Sequence, residues 1–248
     1  LIRPVSDRPP SPARGEGSGR TNPLTTPPPL VLHSATMQTP HLIYFADAMC
    51  SWCYGFSPVI ADIRRTFGRT LPIQLIMGGL RPGTDTPMTD KAKTELAGHW
   101  THVTEASGLP FDPAVLDTPG FLYDTDPAAR AVVFVRRHDT ELALTFLADL
   151  QAAFYAQNRN IADPEVLAAL ITEREMDGQR FLDIFDSDDL KHETWRDYGT
   201  SQQAGVTGFP TLIAGPMETG AYAVVTRGYQ SGETVIPTLE AWLSGPLN

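Results

Sequence analysis

Cys50 and Cys53 are the only two cysteines in 248 residues, and Ser51-Trp52 separates them in "IYFADAMCSWCYGF" (residues 43–56). The spacing admits four readings: a redox pair, a zinc clamp, a structural disulfide or two buried thiols. If the pair opens a helix, Cys50 lies among unpaired backbone N–H groups at the positive end of the helix dipole, which favour a thiolate. Cys53 then lies within the first turn, close enough for the two sulfurs to meet. Cys50 could attack a substrate disulfide and Cys53 could resolve the mixed disulfide. A structural disulfide is the weaker reading, because so short a loop staples nothing distant. Zinc requires further ligands. His99 and His102 are three apart on a helical stretch but outside the usual finger spacing, and they read better as surface or packing residues beside Trp100. Two reduced thiols acting as small apolar side chains stay open on spacing alone.

The elements around the pair narrow the choice. "HLIYFAD" (residues 41–47) is a β-rich apolar run, the pattern of a buried strand. A helix is expected from about Cys53 to Phe67, with Ile60, Ile63 and Phe67 on one face and a kink at Pro58. "LPIQLIMGG" (residues 71–79) reads as a second strand ended by glycines. The cysteines therefore fall at the strand-to-helix junction of a β-α-β unit. A long helical stretch follows, roughly 88–204. Asp126-Pro127 and Asp163-Pro164 look like helix starts, each with an Asp cap and Pro in the first helical position. Leu142, Phe146, Leu150 and Phe154 recur at every fourth residue, a core-facing stripe. Phe181, Leu182, Ile184 and Phe185 form a short amphipathic segment, and Asp188-Asp189 starts the last helix of the block. "FPTLIAG" (residues 209–215) and "AYAVVTRG" (residues 221–228) read as an antiparallel strand pair, followed by a closing helix over about 233–243.

Charge and composition remove other classes. The net charge of −10 disfavours a general nucleic-acid binder, which needs a basic surface. No apolar run approaches the ~20 residues of a membrane span, and "MGGLRPG" (residues 77–83) has neither glycine-rich phosphate-loop spacing. Residues 1–36 hold eight of the 22 prolines and carry +4 − 2 = +2. They read as a disordered tail. Leu30-Val31-Leu32 is too short for a signal-peptide core, and Met37 is the simpler first residue. Sparse cysteines and no targeting segment give a cytoplasmic setting. Nothing in the sequence sets an oligomeric state.

Together "DAMCSWCYGF" (residues 47–56), "GVTGFPT" (residues 205–211) and the helical block between them resemble the DsbA-like branch of the thioredoxin superfamily. With "GGLRPG" (residues 78–83) added, the chain is most similar to protein-disulfide isomerases related to 2-hydroxychromene-2-carboxylate isomerases and kappa-class glutathione transferases. The resemblance implies an α/β thioredoxin-like fold with a large all-helical insertion. Residues 37–87 would form its first half, 88–190 the insertion and 191–248 its second half. It implies a thiol–disulfide oxidoreductase or isomerase acting on protein or small-molecule thiols and disulfides. Neither metal nor bound cofactor would take part, and glutathione would serve as a co-substrate.

Residue by residue, the resemblance makes Cys50 the exposed nucleophile and Cys53 the resolving thiol. Pro210 becomes a cis-proline facing them, although a trans proline starting a strand fits the sequence as well. Phe209 would offer its backbone to an extended substrate. Ser51-Trp52 replaces the Pro-His of strongly oxidising relatives, so a stabiliser of the thiolate is lost and a less oxidising couple is expected. Asp47 is either a carboxylate that takes the Cys53 proton or a strand-end cap. Trp52 and Tyr54 either rim the site or shield the helix start. Gly78 and Gly79 either admit a ligand or make a tight turn. In a glutathione-reduced compartment, net oxidation is hard to sustain, so reduction or isomerisation comes first. Two alternatives are a glutathione-dependent isomerase or transferase, which needs no resolving thiol, and a partner-binding module with a vestigial redox site.

Overall fold

The computed structural model describes residues 39–217 and 219–245. The Pro-rich segment 1–36 and Met37 lie outside the described residues.

Strand β1 (His41–Ala46) is buried along its whole length, with side chains on both faces. It pairs in parallel with β2 (Ile73–Met77) and antiparallel with β3 (Thr211–Gly215). β3 pairs antiparallel with β4 (Ala223–Arg227), which gives the order β2-β1-β3-β4. Leu42, Tyr44 and Ala46 alternate into the main core. Ile43 and Phe45 turn to the other face and join Ile76 and Ile213. This two-sided burial explains why the strand reads as continuous apolar sequence rather than as an alternation.

Helix α1 (Ser51–Phe67) follows β1 and begins earlier than the sequence predicts. It also runs on through Pro58 as one element. Pro58 has no N–H to give the Tyr54 carbonyl, and the Ser57 hydroxyl donates to that carbonyl instead, at 2.8 Å. Six helices then lie between β2 and β3: α2 (Asp90–Ser107), α3 (Asp126–Arg136), α4 (Thr140–Gln157), α5 (Pro164–Glu173), α6 (Gly178–Ile184) and α7 (Asp188–Gln203). Helix α8 (Gly232–Ser244) closes the chain. The result is a DsbA-like thioredoxin fold, a mixed four-stranded sheet with a mainly helical insertion.

The helix starts are mostly as the sequence predicts. Asp163 caps α5 through the Glu165 N–H with Pro164 in the first position, and Ser187 caps α7 ahead of Asp188 and Asp189. Asp126 differs. Thr125 is the N-cap of α3, and Asp126 is already helical. Its buried carboxylate pairs with Arg130 and accepts from the Tyr198 hydroxyl. A partner supplied by α7 outcompetes the local cap. In α4, Phe146, Leu150 and Phe154 of the expected stripe are fully buried, and Leu142 is partly buried against the core.

β2 is an edge strand, and its outer backbone groups are taken by side chains. Arg136 of α3 donates to the Leu75 carbonyl at 2.8 Å. Asp197 of α7 accepts from the Met77 N–H at 2.9 Å and from Arg136 at 2.6 Å and 3.1 Å. The pair blocks the edge from further strand addition and fastens α3 and α7 to the sheet. Replacing Asp197 by Ala leaves an edge N–H unpaired and takes the nearest carboxylate from a largely buried guanidinium, which keeps the Leu75 carbonyl and Glu193 at 3.7 Å. Asp197→Ala should cost about 3 kcal/mol in urea unfolding. A loss below about 1 kcal/mol would show that the pair is not what holds α7 to β2.

Candidate active site

The site is assembled where β1 ends. Asp47 follows the strand and is fully buried. Its Oδ1 accepts from the Met49 N–H at 2.9 Å, and its Oδ2 accepts from the Leu80 N–H at 2.8 Å. The first bond shapes the turn into α1, and the second ties that turn to the segment leaving β2. Gln151 of α4 donates to the Asp47 carbonyl at 3.3 Å. Burial pushes the Asp47 carboxyl up to about 6, although the Leu80 and Met49 N–H groups pull the other way.

Cys50 is the N-cap of α1, in an extended conformation, and its side chain makes no capping bond. Its carbonyl accepts from the Cys53 and Tyr54 N–H groups at 2.9 Å and 3.1 Å. Both cysteines are reduced. The sulfurs are unequal: Cys53 is fully covered, whereas Cys50 is 7% exposed. Cys50 is thus less open than an exposed nucleophile would be, because its thiol packs 3.5 Å from the Phe209 carbonyl. Burial, with the Cys50 thiol alongside, pushes the Cys53 thiol well above its ordinary value, while the Asp47 backbone N–H draws it down. Tyr44, buried on β1, is raised by burial and by its closeness to Cys53.

The Phe209–Pro210 peptide is cis, and Pro210 immediately precedes β3. The Phe209 ring lies flat against Gly78, where an added Cβ would fall 2.2 Å from it. Gly79, at φ +68°, lies under the Tyr198 ring in the same way, at 2.7 Å. Both glycines permit a close approach, but the approaching groups are the chain's own Phe209 and Tyr198 rather than a ligand. Ser51 is buried in the first turn. Trp52 stands at the surface against His99 of α2 and Tyr229, with ring centroids 5.8 Å and 5.4 Å away. Tyr54 is not a rim residue. It is buried and stacks on Tyr155 at 5.2 Å.

Sequence reasoning missed several residues. Tyr123, on the segment before α3, donates its hydroxyl to the Met49 carbonyl, one residue before Cys50. The Tyr155 hydroxyl lies 3.4 Å from that of Tyr123. Thr125 bonds to the Arg81 backbone in both directions. None of these has a motif around it. Among the described residues no group of His, Cys, Asp and Glu could hold a metal ion, and no helix is long and apolar enough to cross a membrane.

The DSBA-like thioredoxin domain matches residues 41–227. A protein from Nitrosomonas europaea provisionally named a protein disulfide isomerase is 34% identical, with a TM-score of 0.75 over 83% of this chain and 98% of that one. The cytosolic disulfide reductase DsbM from Pseudomonas aeruginosa is 26% identical, with a TM-score of 0.65 over 82% and 96%. The ClpXP adapter protein SpxH of Bacillus subtilis is 24% identical over 68% of this chain, which spans 56% of that relative's length. The chain belongs to the DsbA-like thioredoxin domain family.

Proposed function

We propose that Cys50 forms mixed disulfides with its substrates and that Cys53 resolves them, so that the protein reduces or isomerises disulfides. The observation that carries this reading is the asymmetry of the reduced pair. The helix-capping sulfur is the less covered one, and the covered sulfur lies one turn behind it. The Cys50 thiolate attacks one sulfur of a substrate disulfide, and the other sulfur leaves as a thiolate. Cys53 then attacks the Cys50 sulfur and the second substrate sulfur leaves. The substrate gains two electrons and the protein is left as a disulfide, which an external thiol reduces. Glutathione fits that last role, since the DsbM structure was also solved with it. An extended substrate would lie along Phe209, whose carbonyl flanks Cys50. A cytosolic setting is part of the proposal, by analogy with DsbM.

Asp47 is the proton acceptor for Cys53 in this scheme. It is buried beside the resolving thiol and close enough to neutrality in its titration to exchange a proton.

A second reading rests on the SpxH relatives, which are named as ClpXP adapters. In that case the domain binds a partner, and the binding survives loss of both thiols.

Trapping separates the two readings. Cys53→Ala should hold substrates on Cys50 as mixed disulfides visible by mass spectrometry. Equal capture by Cys50→Ala, or no capture above background, removes the redox reading. Asp47 provides a pH signature. Its folded value of about 6 lies above the ordinary 3.8, so its contribution to stability is fully present below about pH 4 and is lost as pH rises through about 6. The stability of Asp47→Asn relative to wild type should therefore improve between pH 4 and 7.5, by on the order of 3 kcal/mol. The same variant should slow resolution about a hundredfold and erase the rate inflection near pH 6. Unchanged exchange rates from pH 6 to 9 would remove Asp47 from the chemistry.

A further inference from the structure

Arg81 has a setting that the reaction scheme leaves unused. Its backbone is pinned on both sides, with its N–H donating to Thr125 Oγ1 at 3.1 Å and its carbonyl accepting from the Thr125 N–H at 3.3 Å. The preceding residue, Leu80, is held by the Asp47 carboxylate. From this fixed base the guanidinium carbon lies 5.4 Å from the centroid of the Tyr123 ring. Tyr123 is buried, and its hydroxyl holds the Met49 carbonyl beside Cys50. Arg81 is exposed. Among the described residues no carboxylate pairs with it, whereas Arg130 and Arg136 of α3 both have acidic partners. Asp124, in the neighbouring segment, accepts the Gly83 and Asp126 N–H groups on its Oδ1 at 2.8 Å and 3.0 Å and forms no ion pair with Arg81 among the described residues. The Tyr123 hydroxyl lies within electrostatic reach of both Arg81 and Cys50.

A guanidinium over an aromatic face keeps its N–H edges free, and those edges match a planar carboxylate with two parallel hydrogen bonds. We propose that Arg81 is a specificity-determining residue that binds a carboxylate of the substrate, so that the site prefers carboxylate-bearing thiols and disulfides. The proposal rests on the thiol–disulfide reading above and names the substrate class of that same site. A competing role is a general one, in which the positive charge assists Cys50 with every substrate.

The experiment uses reduced full-length protein in single turnover with three disulfides: glutathione disulfide (anionic), bis(2-hydroxyethyl) disulfide (neutral) and cystamine (cationic). Each reaction consumes the two protein thiols and releases two small thiols, so no added reductant is needed. For Arg81→Gln, the ratio of rate constants for glutathione disulfide over bis(2-hydroxyethyl) disulfide should fall about tenfold, the low end for a charge-assisted bond at an exposed site. The ratio for cystamine over the neutral disulfide should rise, and Arg81→Lys should restore part of the anionic preference. Added salt should shrink the wild-type preference. Unchanged ratios, including an equal loss on all three disulfides, would overturn the assignment. Wild-type protein that reacts with none of the three would overturn the thiol–disulfide reading and this inference with it.

Discussion

The buried carboxylate of Asp47 is the constraint on which the site depends. Taking a carboxylate out of water is costly unless hydrogen bonds replace the lost solvent. Here the replacements are two backbone N–H groups from different segments, Met49 and Leu80. The same two bonds that compensate the burial also fix the turn into α1 and draw the residues after β2 alongside it. Cys50 reaches its capping position because that turn is fixed, and the Leu80-Arg81 segment lies beside it for the same reason. The bonds do not fully offset the burial, as the upward displacement of the carboxyl to about 6 shows. A group held by the fold at some cost in stability, next to a reactive sulfur, is a common feature of functional sites.

Around that tie, the chain brings together segments that are distant in sequence. The Phe209 ring settles on the bare backbone of Gly78, which places the residue before the cis-proline against the end of β2 and its carbonyl against Cys50. Tyr123, which enters from the helical insertion, holds the peptide just before Cys50. The insertion therefore does more than enlarge the core, since it contributes a hydrogen bond to the backbone of the site. Arg136 and Asp197 do similar work at the strand edge, where they satisfy groups that would otherwise be open to a stray strand.

Local pattern made much of this legible. The order of strand and helix patterns is enough to expect a split α/β sheet with a helical insertion, and the resemblance carried by residues 47–56 and 205–211 makes that fold thioredoxin-like. A misreading arose where a long-range partner overrode a local rule. Asp126 looks like a cap, but Arg130 and Tyr198 claim its carboxylate. Gly78 and Gly79 fit a ligand's approach or a tight turn in the sequence, and the groups packed on them are Phe209 and Tyr198. Tyr123 could not have been found this way, because an isolated Tyr has no spacing to read, and Arg81, although it lies within "GGLRPG", shows its setting only once Tyr123 and Thr125 fold against it.

The central claim is that the two thiols are unequal, with Cys50 the sulfur that meets substrate and Cys53 held behind it. Limited alkylation of the native, reduced protein with iodoacetamide, mapped by peptide mass spectrometry over time, measures this directly. The account predicts that modification appears first on Cys50 and that Cys53 stays unmodified until the protein is unfolded. Modification of Cys53 first, or of both at the same rate, would contradict it.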